Sequence, residues 1–219
     1  MKILIVSPHP DDESLGAGGT LIKLKKSGHK IYWLNITDVK EEYGFSTEFI
    51  KKRSEHIKNI INFYKFDGFF NFQLQPAGLS NLDEGIIISK IRKVFDEVKP
   101  EWIIIPGNYD AHSDHRVVYN CCMACSKSFR SPYIRKILSM EIISETEFGF
   151  QNEKFIPNFF VDITEEFESK LNAIKIYDTE IEKFPFPRSF ENIESLAIFR
   201  GGGICKYAEA FHIIKEILF

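Results

Sequence analysis

The sequence predicts an α/β fold: a Rossmann-like, mostly parallel sheet flanked by helices in three layers, with a less regular C-terminal third. Two observations support this prediction. Short runs of apolar residues recur up to about residue 130, and each is followed by a stretch with apolar residues at helical spacing. The runs are continuously apolar rather than alternating, which is typical of parallel strands covered on both faces.

The elements can be placed in chain order. KILIVSP at residues 2–8 predicts the first strand, and ESLGAGGTLIKLKKSG at 13–28 predicts a helix that Gly28 ends. Further strands are expected at 30–37, 68–74 and 101–107, and further helices at 47–66, 84–98 and 115–128. Beyond residue 130 the pattern indicates strands at 136–143 and 158–163, a helix at 164–177, and loops at 183–190 and 200–203.

The length and composition indicate one globular domain over residues 1–219. A net charge of −3 gives no electrostatic reason to expect nucleic acid or an acidic membrane surface. No run approaches the roughly 18 apolar residues of a membrane span, and the apolar start breaks at Pro8, too early for a secretory signal. Three of the four cysteines lie within 121–125, which does not suggest a disulfide framework, so we expect a cytoplasmic protein.

Acidic and histidine side chains follow two of the predicted strands. SPHPDDES, residues 7–14, comes directly after the first strand, and YDAHSDHR, residues 109–116, follows the strand at 101–107. In a sheet of order 3-2-1-4-5 these two strands are neighbours. Both loops would then open at the crevice where the strand order reverses, which is where such sheets bind ligands. We therefore expect the two loops to form one site.

Two imidazoles and a carboxylate, with a position left for water, make a divalent-metal site of a common kind. His9, Asp12 and His115 are the predicted ligands, and a cation there would offset the repulsion between neighbouring carboxylates. Asp11 is then free to act as a general base toward the attacking water. Each segment alone also has a simpler explanation, because the acidic residues could cap the following helix and residues 112–115 could form a solvated loop.

Other polar or glycine-rich features are weaker as sites. CCMAC at 121–125 resembles half of a cysteine metal site without a second half, and on a helix such cysteines are more often small buried apolar residues. GAGG at 16–19 lacks the full dinucleotide fingerprint and indicates close packing of the helix on the sheet.

With these residues identified, the sequence resembles the PIG-L/LmbE-like N-deacetylases, zinc hydrolases that remove an acetyl group from N-acetylated sugar derivatives. The resemblance covers essentially the whole chain. It rests on PHPDDE, ITDVKEE, Arg53 with Glu55, HSDHR, FVDITEEFESK and the closing KYAEAF. The pairing of HPDDE with HxDH is the specific part of the match.

The resemblance implies a set of metal ligands and catalytic groups. Zinc, or Fe(II) as the alternative ion, would be held by His9, Asp12 and His115. Asp11 would be the base, and His112 would stabilise the oxyanion or protonate the leaving amine. Asp114 would orient and charge-stabilise His112.

The resemblance also implies substrate-binding residues. Some members carry an oxyanion-stabilising tyrosine two residues before the first histidine of the second motif. Here that position is Asp110, which leaves Tyr109 as the candidate. Arg53 would bind a substrate phosphate or hydroxyl, because its planar fork suits bidentate recognition. Arg188 and Arg200 would line the same mouth.

The implied function is removal of an N-acetyl group from an N-acetylglucosamine-type conjugate, giving acetate and a free amine. Three alternatives stay open at this point. The same zinc site could cleave another acyl group or a thiol conjugate, and two histidines with one carboxylate also hold iron in non-haem oxygenases. The chain could instead be a non-catalytic nucleotide-sugar-binding module. FPFPRSF at 184–190 could form a lid or an interface, so a homo-oligomer also stays open.

Overall fold

The computed structural model describes residues 1–149 and 154–218, which build one seven-stranded sheet with helices on both faces. The strands are β1 Lys2–Ser7, β2 Lys30–Thr37, β3 Gly68–Leu74, β4 Trp102–Ile105, β5 Lys136–Met140, β6 Phe159–Asp162 and β7 Ala208–Glu216. The helices are α1 Asp12–Lys26, α2 Thr47–Tyr64, α3 Glu84–Val98, α4 Ser113–Cys125, α5 Phe167–Ile176 and α6 Phe190–Gly201. Among these described helices, none has the length and apolar character required to cross a bilayer.

The strand order is β3-β2-β1-β4-β5-β7-β6. The pairings among β1 to β5 are parallel, whereas β7 runs antiparallel between β5 and β6. The predicted α/β fold and the 3-2-1-4-5 order are confirmed. Because β1 pairs directly with β4, their carboxyl ends lie side by side, and the loops that follow them meet.

Both faces of the sheet are buried, which explains the continuously apolar strands. Ile3 and Ile5 point to one face, where they pack with buried side chains of α1, α2, α5 and α6. Leu4 and Val6 point to the other face, where α3 and α4 cover them. Alternate residues of β1 from Ile3 to Val6 therefore enter two separate cores, which explains why this run is apolar at every position.

Glycines allow α1 to lie close to its neighbours. A Cβ on Gly16 would come within 2.7 Å of the Met140 sulfur, and one on Gly19 within 2.8 Å of Ile163. Both distances are too short for real carbon contacts. The prediction that GAGG serves close packing is confirmed.

A buried ion pair also holds the middle of α1. The Glu209 carboxylate accepts hydrogen bonds from the backbone N–H groups of Gly19 (2.9 Å) and Thr20 (2.7 Å). Lys170 donates to the same carboxylate (2.6 Å) and to the Leu15 carbonyl (2.8 Å). The closing KYAEAF segment therefore ties β7 to the helix that carries the PHPDDE loop.

The cysteines of α4 are packing residues, as the sequence indicates. Cys121, Cys122 and Cys125 are free thiols buried in the core beneath α3. Burial raises the pKa of Cys121 to about 12 and the pKa of Cys125 to about 11. Such thiols remain protonated at neutral pH and behave as small apolar side chains.

The sequence pattern does not indicate two elements of the C-terminal third. α6 starts inside the segment expected to be a loop, where the Ser189 side chain accepts from Asn192 N and caps the helix. Its apolar residues do not share one face, since Ile198 and Phe199 are exposed, so no amphipathic pattern marks it. β7 is inserted between β5 and β6 by pairings that are distant in sequence, which local periodicity does not report.

Candidate active site

The loop after β1 directs two side chains to the same side of the sheet edge. Asp12 is the first residue of α1, and its Oδ2 accepts a hydrogen bond from His9 N at 2.8 Å. This short turn brings the two side chains together, with 3.5 Å between His9 Nδ1 and Asp12 Oδ2. Asp11 lies between them in sequence and is almost completely buried.

The loop after β4 supplies the second histidine. α4 starts at Ser113, and His115 lies in its first turn with none of its surface exposed. Asp110 accepts a hydrogen bond from His115 Nδ1 at 2.9 Å. That bond fixes the ring so that Nε2 points at Asp12, 3.5 Å from its Oδ2. The two loops therefore form one site, as the strand order requires.

The donor set His9, Asp12 and His115 fits a divalent cation. One potential ligand atom from each of these residues lies within 4.8 Å of the others. Over the described residues, His115 Nε2 is a buried nitrogen without a hydrogen-bond partner. A buried polar atom normally has a hydrogen-bond partner, so this nitrogen requires a partner from outside the chain, and a metal ion is the partner that such a set of side chains binds. A carboxylate behind the ligating histidine, here Asp110, is the usual support of such a ligand.

A second group, His9, His112 and Asp114, also lies within 4.8 Å, but its lone pairs are already engaged. The Asp114 carboxylate accepts from the backbone N–H groups of Ala77 (2.7 Å) and Leu79 (3.1 Å). His112 Nδ1 accepts from Asp114 N at 3.1 Å. The first group, with its unpaired nitrogen, is the better cation site.

The carboxylates and the histidines of the site stabilise each other's charged forms, as the pKa values of His9 and Asp12 show. Burial alone would lower the pKa of His9, but hydrogen bonds to Asp114 and Asp12 outweigh it and raise the pKa to about 10. Burial would raise the pKa of Asp12, yet His115 and His9 lower it to about 2. The two histidines thus stabilise the charged form of Asp12, which helps to explain how the loop can bury this carboxylate.

Asp11 has the electrostatic environment of a proton acceptor. Burial, followed by the negative charge of Asp12, raises its pKa well above the usual range, and Arg188 partly opposes the rise. Arg188 Nη1 lies 3.0 Å from Asp11 Oδ2. A carboxylate with a raised pKa that remains paired with a cation is suited to accept and return a proton near neutral pH.

Two of the predicted substrate-binding arginines lie at the site. Arg53, on α2, donates to the Pro10 carbonyl at 2.8 Å and forms an ion pair with Glu180. Arg188 contacts the same Glu180 at 3.5 Å. Both arginines line a cleft of about 350 Å³ together with His9, Asp11, Asp12 and His112.

The other two predicted substrate-binding residues lie elsewhere. The Tyr109 hydroxyl is buried against Ser139 Oγ at 2.7 Å, and Arg200 makes a bidentate contact with Glu141 at 2.8 and 2.5 Å. Neither side chain is among the described residues that line the cleft.

His112 and Asp114 meet through the backbone rather than through the carboxylate. The Asp114 carboxylate lies 3.2 Å from His9 Nε2, while Asp114 N donates to His112 Nδ1. Burial, together with the nearby His9 and His115, lowers the pKa of His112 to about 4. A neutral His112 whose Nδ1 accepts a hydrogen bond carries its proton on Nε2.

The cleft also contains residues that were not predicted from the sequence as site residues. Phe45 and Phe49 line it as a stacked pair, with ring centroids 5.7 Å apart. Asp38 and Glu145 line it as well, and Glu145 accepts a hydrogen bond from His112 N at 3.1 Å. Asp38 follows β2 and Glu145 follows β5, so examining the carboxyl end of every parallel strand would have identified both.

Comparisons with known proteins identify the family of this chain. The family model described as PIG-L, GlcNAc-PI de-N-acetylase, matches residues 4–126, which contain both loops. A diacetylchitobiose deacetylase from Thermococcus kodakarensis is 25% identical over 235 residues, covering 99% of this chain and 84% of that protein.

Solved structures share the fold at lower identity. An N,N'-diacetylchitobiose deacetylase from Pyrococcus horikoshii superimposes with a TM-score of 0.78 at 21% identity, over 98% of this chain and 84% of that one. A 4-carboxy-2-hydroxymuconate hydratase from Pseudomonas putida superimposes with a TM-score of 0.77 at 14% identity. The superposition covers 100% of this chain and 98% of the hydratase chain. One fold therefore carries two reaction types, so the reaction must be argued from the site.

Proposed function

The chain belongs to the PIG-L family, and on that premise we propose that it is a metal-dependent hydrolase that removes the N-acetyl group from an N-acetylglucosamine-type conjugate. The products are acetate and a free amine. The main support is the unpaired, buried His115 Nε2 beside Asp12 and His9, with the carboxylate of Asp11 bordering the same cleft. This arrangement joins a cation site to a base, which amide hydrolysis requires.

His9, Asp12 and His115 would hold the ion, with zinc as the proposed metal and Fe(II) as the alternative. When bound, a divalent ion lowers the pKa of water and stabilises negative charge on a carbonyl oxygen. Two of the three ligands, Asp12 and His115, are buried, and the hydrogen bond to Asp110 fixes the orientation of His115.

Asp11 is the proposed general base. It takes a proton from the water that attacks the acetyl carbon, so that a C–O bond forms as the O–H bond breaks. It then returns this proton to the sugar nitrogen as the C–N bond breaks, which balances the reaction without another acid. Arg188 Nη1, 3.0 Å from Asp11 Oδ2, favours the ionised carboxylate and orients it.

His112 is the proposed donor to the oxyanion. Its Nδ1 accepts from Asp114 N, which leaves the Nε2 proton free to bond the acetyl oxygen as negative charge develops there. A neutral ring is a poor source of a proton for the leaving amine. The geometry therefore supports the first of the two roles that the sequence left open for His112.

The cleft fits a small sugar conjugate. Its volume of about 350 Å³ lies in the range of small-molecule sites. Phe45 and Phe49 provide an apolar surface on which the face of a sugar ring can pack, and Arg53 and Arg188 provide donors for hydroxyl or phosphate oxygens.

The proposal also includes the domain organisation and the cellular location of the enzyme. We infer a single domain over residues 1–219, because the sheet takes strands from both ends of the chain. The four free cysteines favour the reducing cytoplasm.

Acetate release tests this function. The metal-loaded protein is incubated with N-acetylglucosamine, N,N'-diacetylchitobiose and an N-acetylglucosaminyl inositol, and with N-acetylated amino acids and N-hexanoylglucosamine as controls. We expect acetate from at least one sugar conjugate and none from the amino acids. Cleavage of the hexanoyl compound alone, or of the amino acids alone, would contradict an N-acetyl-sugar deacetylase.

A further inference from the structure

Glu13 is the third acidic residue of PHPDDE, and the mechanism above gives it no role. It lies in the first turn of α1 with none of its surface exposed, and it is not among the described residues that line the cleft. Its carboxylate accepts three hydrogen bonds: from Asp11 N at 3.2 Å, from the Ser14 hydroxyl at 2.7 Å and from the Tyr177 hydroxyl at 2.9 Å. One of these donors is the backbone of the proposed base.

The backbone of Asp11 is held in a conformation that non-glycine residues avoid. Its φ is 141° and its ψ is −29°. With φ in this range the Cβ of an L-residue crowds its own backbone, and such a residue persists only where its surroundings hold it in place. The carbonyl of Asp11 is held by Ser14 N (3.0 Å) and Leu15 N (2.9 Å), the first bonds of α1. Its N–H is held by Glu13.

Glu13 is itself anchored from two directions. Tyr177 follows α5 and is 1% exposed, so its hydroxyl cannot move away from the carboxylate without disturbing the core. On the other side the Tyr64 hydroxyl, from α2, donates to Ser14 Oγ at 3.1 Å, and Ser14 donates to Glu13. The chain of hydrogen bonds thus connects two helices to the N–H of Asp11.

We propose that Glu13, anchored by Tyr177, is a positioning residue that locks the strained backbone of Asp11 so that its carboxylate faces the cleft. The proposal rests on the proposed function, because it assigns the purpose of the strain to the base. Glu13 acts through a hydrogen bond to Asp11 N and touches no substrate. A glutamate that only complemented the helix dipole would act on stability and independently of Asp11.

A double-mutant cycle tests the coupling. Glu13→Met keeps the side-chain volume but cannot accept the three hydrogen bonds, and it is combined with Asp11→Asn. We expect Glu13→Met to lower kcat by about 10–100-fold, with KM and metal content unchanged, since an error of about 1 Å at a reacting group can cost 10²-fold. In the Asp11→Asn background it should cause no further loss, because the group it positions is already gone.

Two further variants separate the hydrogen bond from other effects. Glu13→Gln retains an oxygen that can accept the hydrogen bond from Asp11 N, so its kcat should be close to that of the wild type. If Glu13 acted through its negative charge, Glu13→Gln would instead be as slow as Glu13→Met. Glu84→Gln changes an exposed glutamate in the first turn of α3 and should behave as wild type. If Glu13→Met does not fold, Tyr177→Phe replaces it in the double-mutant cycle. Tyr177→Phe should lower kcat severalfold in the wild-type background and leave kcat unchanged in the Asp11→Asn background.

Equal losses in the two backgrounds, or a Glu13→Gln as slow as Glu13→Met, would overturn the proposal. A crystal structure of Glu13→Met, or of Tyr177→Phe in its place, provides a readout that needs no activity. We expect φ of Asp11 to leave the positive region and the distance from Asp11 to Arg188 to lengthen beyond 3.0 Å. If the backbone of Asp11 had the same φ in the variant structure as in the wild type, the inference would be overturned, even if the wild type released no acetate. If φ changed as expected but the wild type released no acetate, only the proposed function would be contradicted.

Discussion

Replacement of Asp11 by asparagine is expected to lower kcat for acetate release by about 10²–10⁴-fold, the usual contribution of a general base. Asparagine has nearly the same size but cannot take a proton from water. Asp11 is not a member of the cation site, so the metal content should stay at the wild-type level. The measurement is kcat on the best sugar conjugate, with metal determined on the same samples.

Asp83→Asn is the matched control for this change. Asp83 precedes α3 as Asp11 precedes α1, and its carboxylate caps that helix by accepting from Gly85 N at 2.8 Å. Asparagine caps helices as well as aspartate does, so this variant should keep its activity. If Asp11→Asn turned over at the wild-type rate, Asp11 would have no part in the mechanism; if the metal were lost as well, Asp11 would belong to the ligand set.

Replacement of His115 by alanine is expected to remove metal binding and activity together. His115 Nε2 is the buried, unpaired nitrogen on which the cation site depends. Loss of a residue behind a ligand commonly costs 10–100-fold in metal affinity, so loss of the ligand itself should cost more than about 100-fold. Chelator competition measures the affinity, and acetate release under excess zinc measures any activity that remains.

His212→Ala is the matched control for His115. His212 lies on β7, where its Nδ1 donates to the Ile156 carbonyl at 2.8 Å, and it is not among the described residues that line the cleft. Metal content and rate should both stay at the wild-type level. Metal binding of wild-type strength by His115→Ala would contradict the ligand assignment, whatever the effect on the rate.

The sheet and the positions of the two loops could be predicted because the relevant signals are local. Apolar runs such as residues 2–7 and 102–105 reveal parallel strands, and the carboxyl ends of neighbouring strands must meet at one edge. Histidine and aspartate after two such strands were therefore enough to predict that His9, Asp12 and His115 come together. The structure brings them together without any rearrangement of the predicted strand order.

The rest of the site depends on contacts that no local pattern reports. Glu180 and Arg188 reach the cleft from the segment after α5, which shows neither a helical nor a strand period. The side chain that contacts the Asp114 carboxylate is His9, on a different loop, whereas the family resemblance implied that Asp114 orients His112. Tyr109 precedes the motif in sequence, yet its ring turns toward β5 and bonds Ser139. Side-chain direction in loops is set by packing that distant elements provide.

Titration of metal-stripped protein with zinc, with acetate release measured at every step, tests the central claim most directly. We expect no acetate without metal, a rate that rises in proportion to bound zinc, and saturation at one ion per chain. The same titration with Fe(II) determines which of the two ions supports the faster reaction. A stripped protein as active as the loaded one, or a fully loaded protein that releases acetate from no N-acetyl sugar, would contradict a metal-dependent deacetylase.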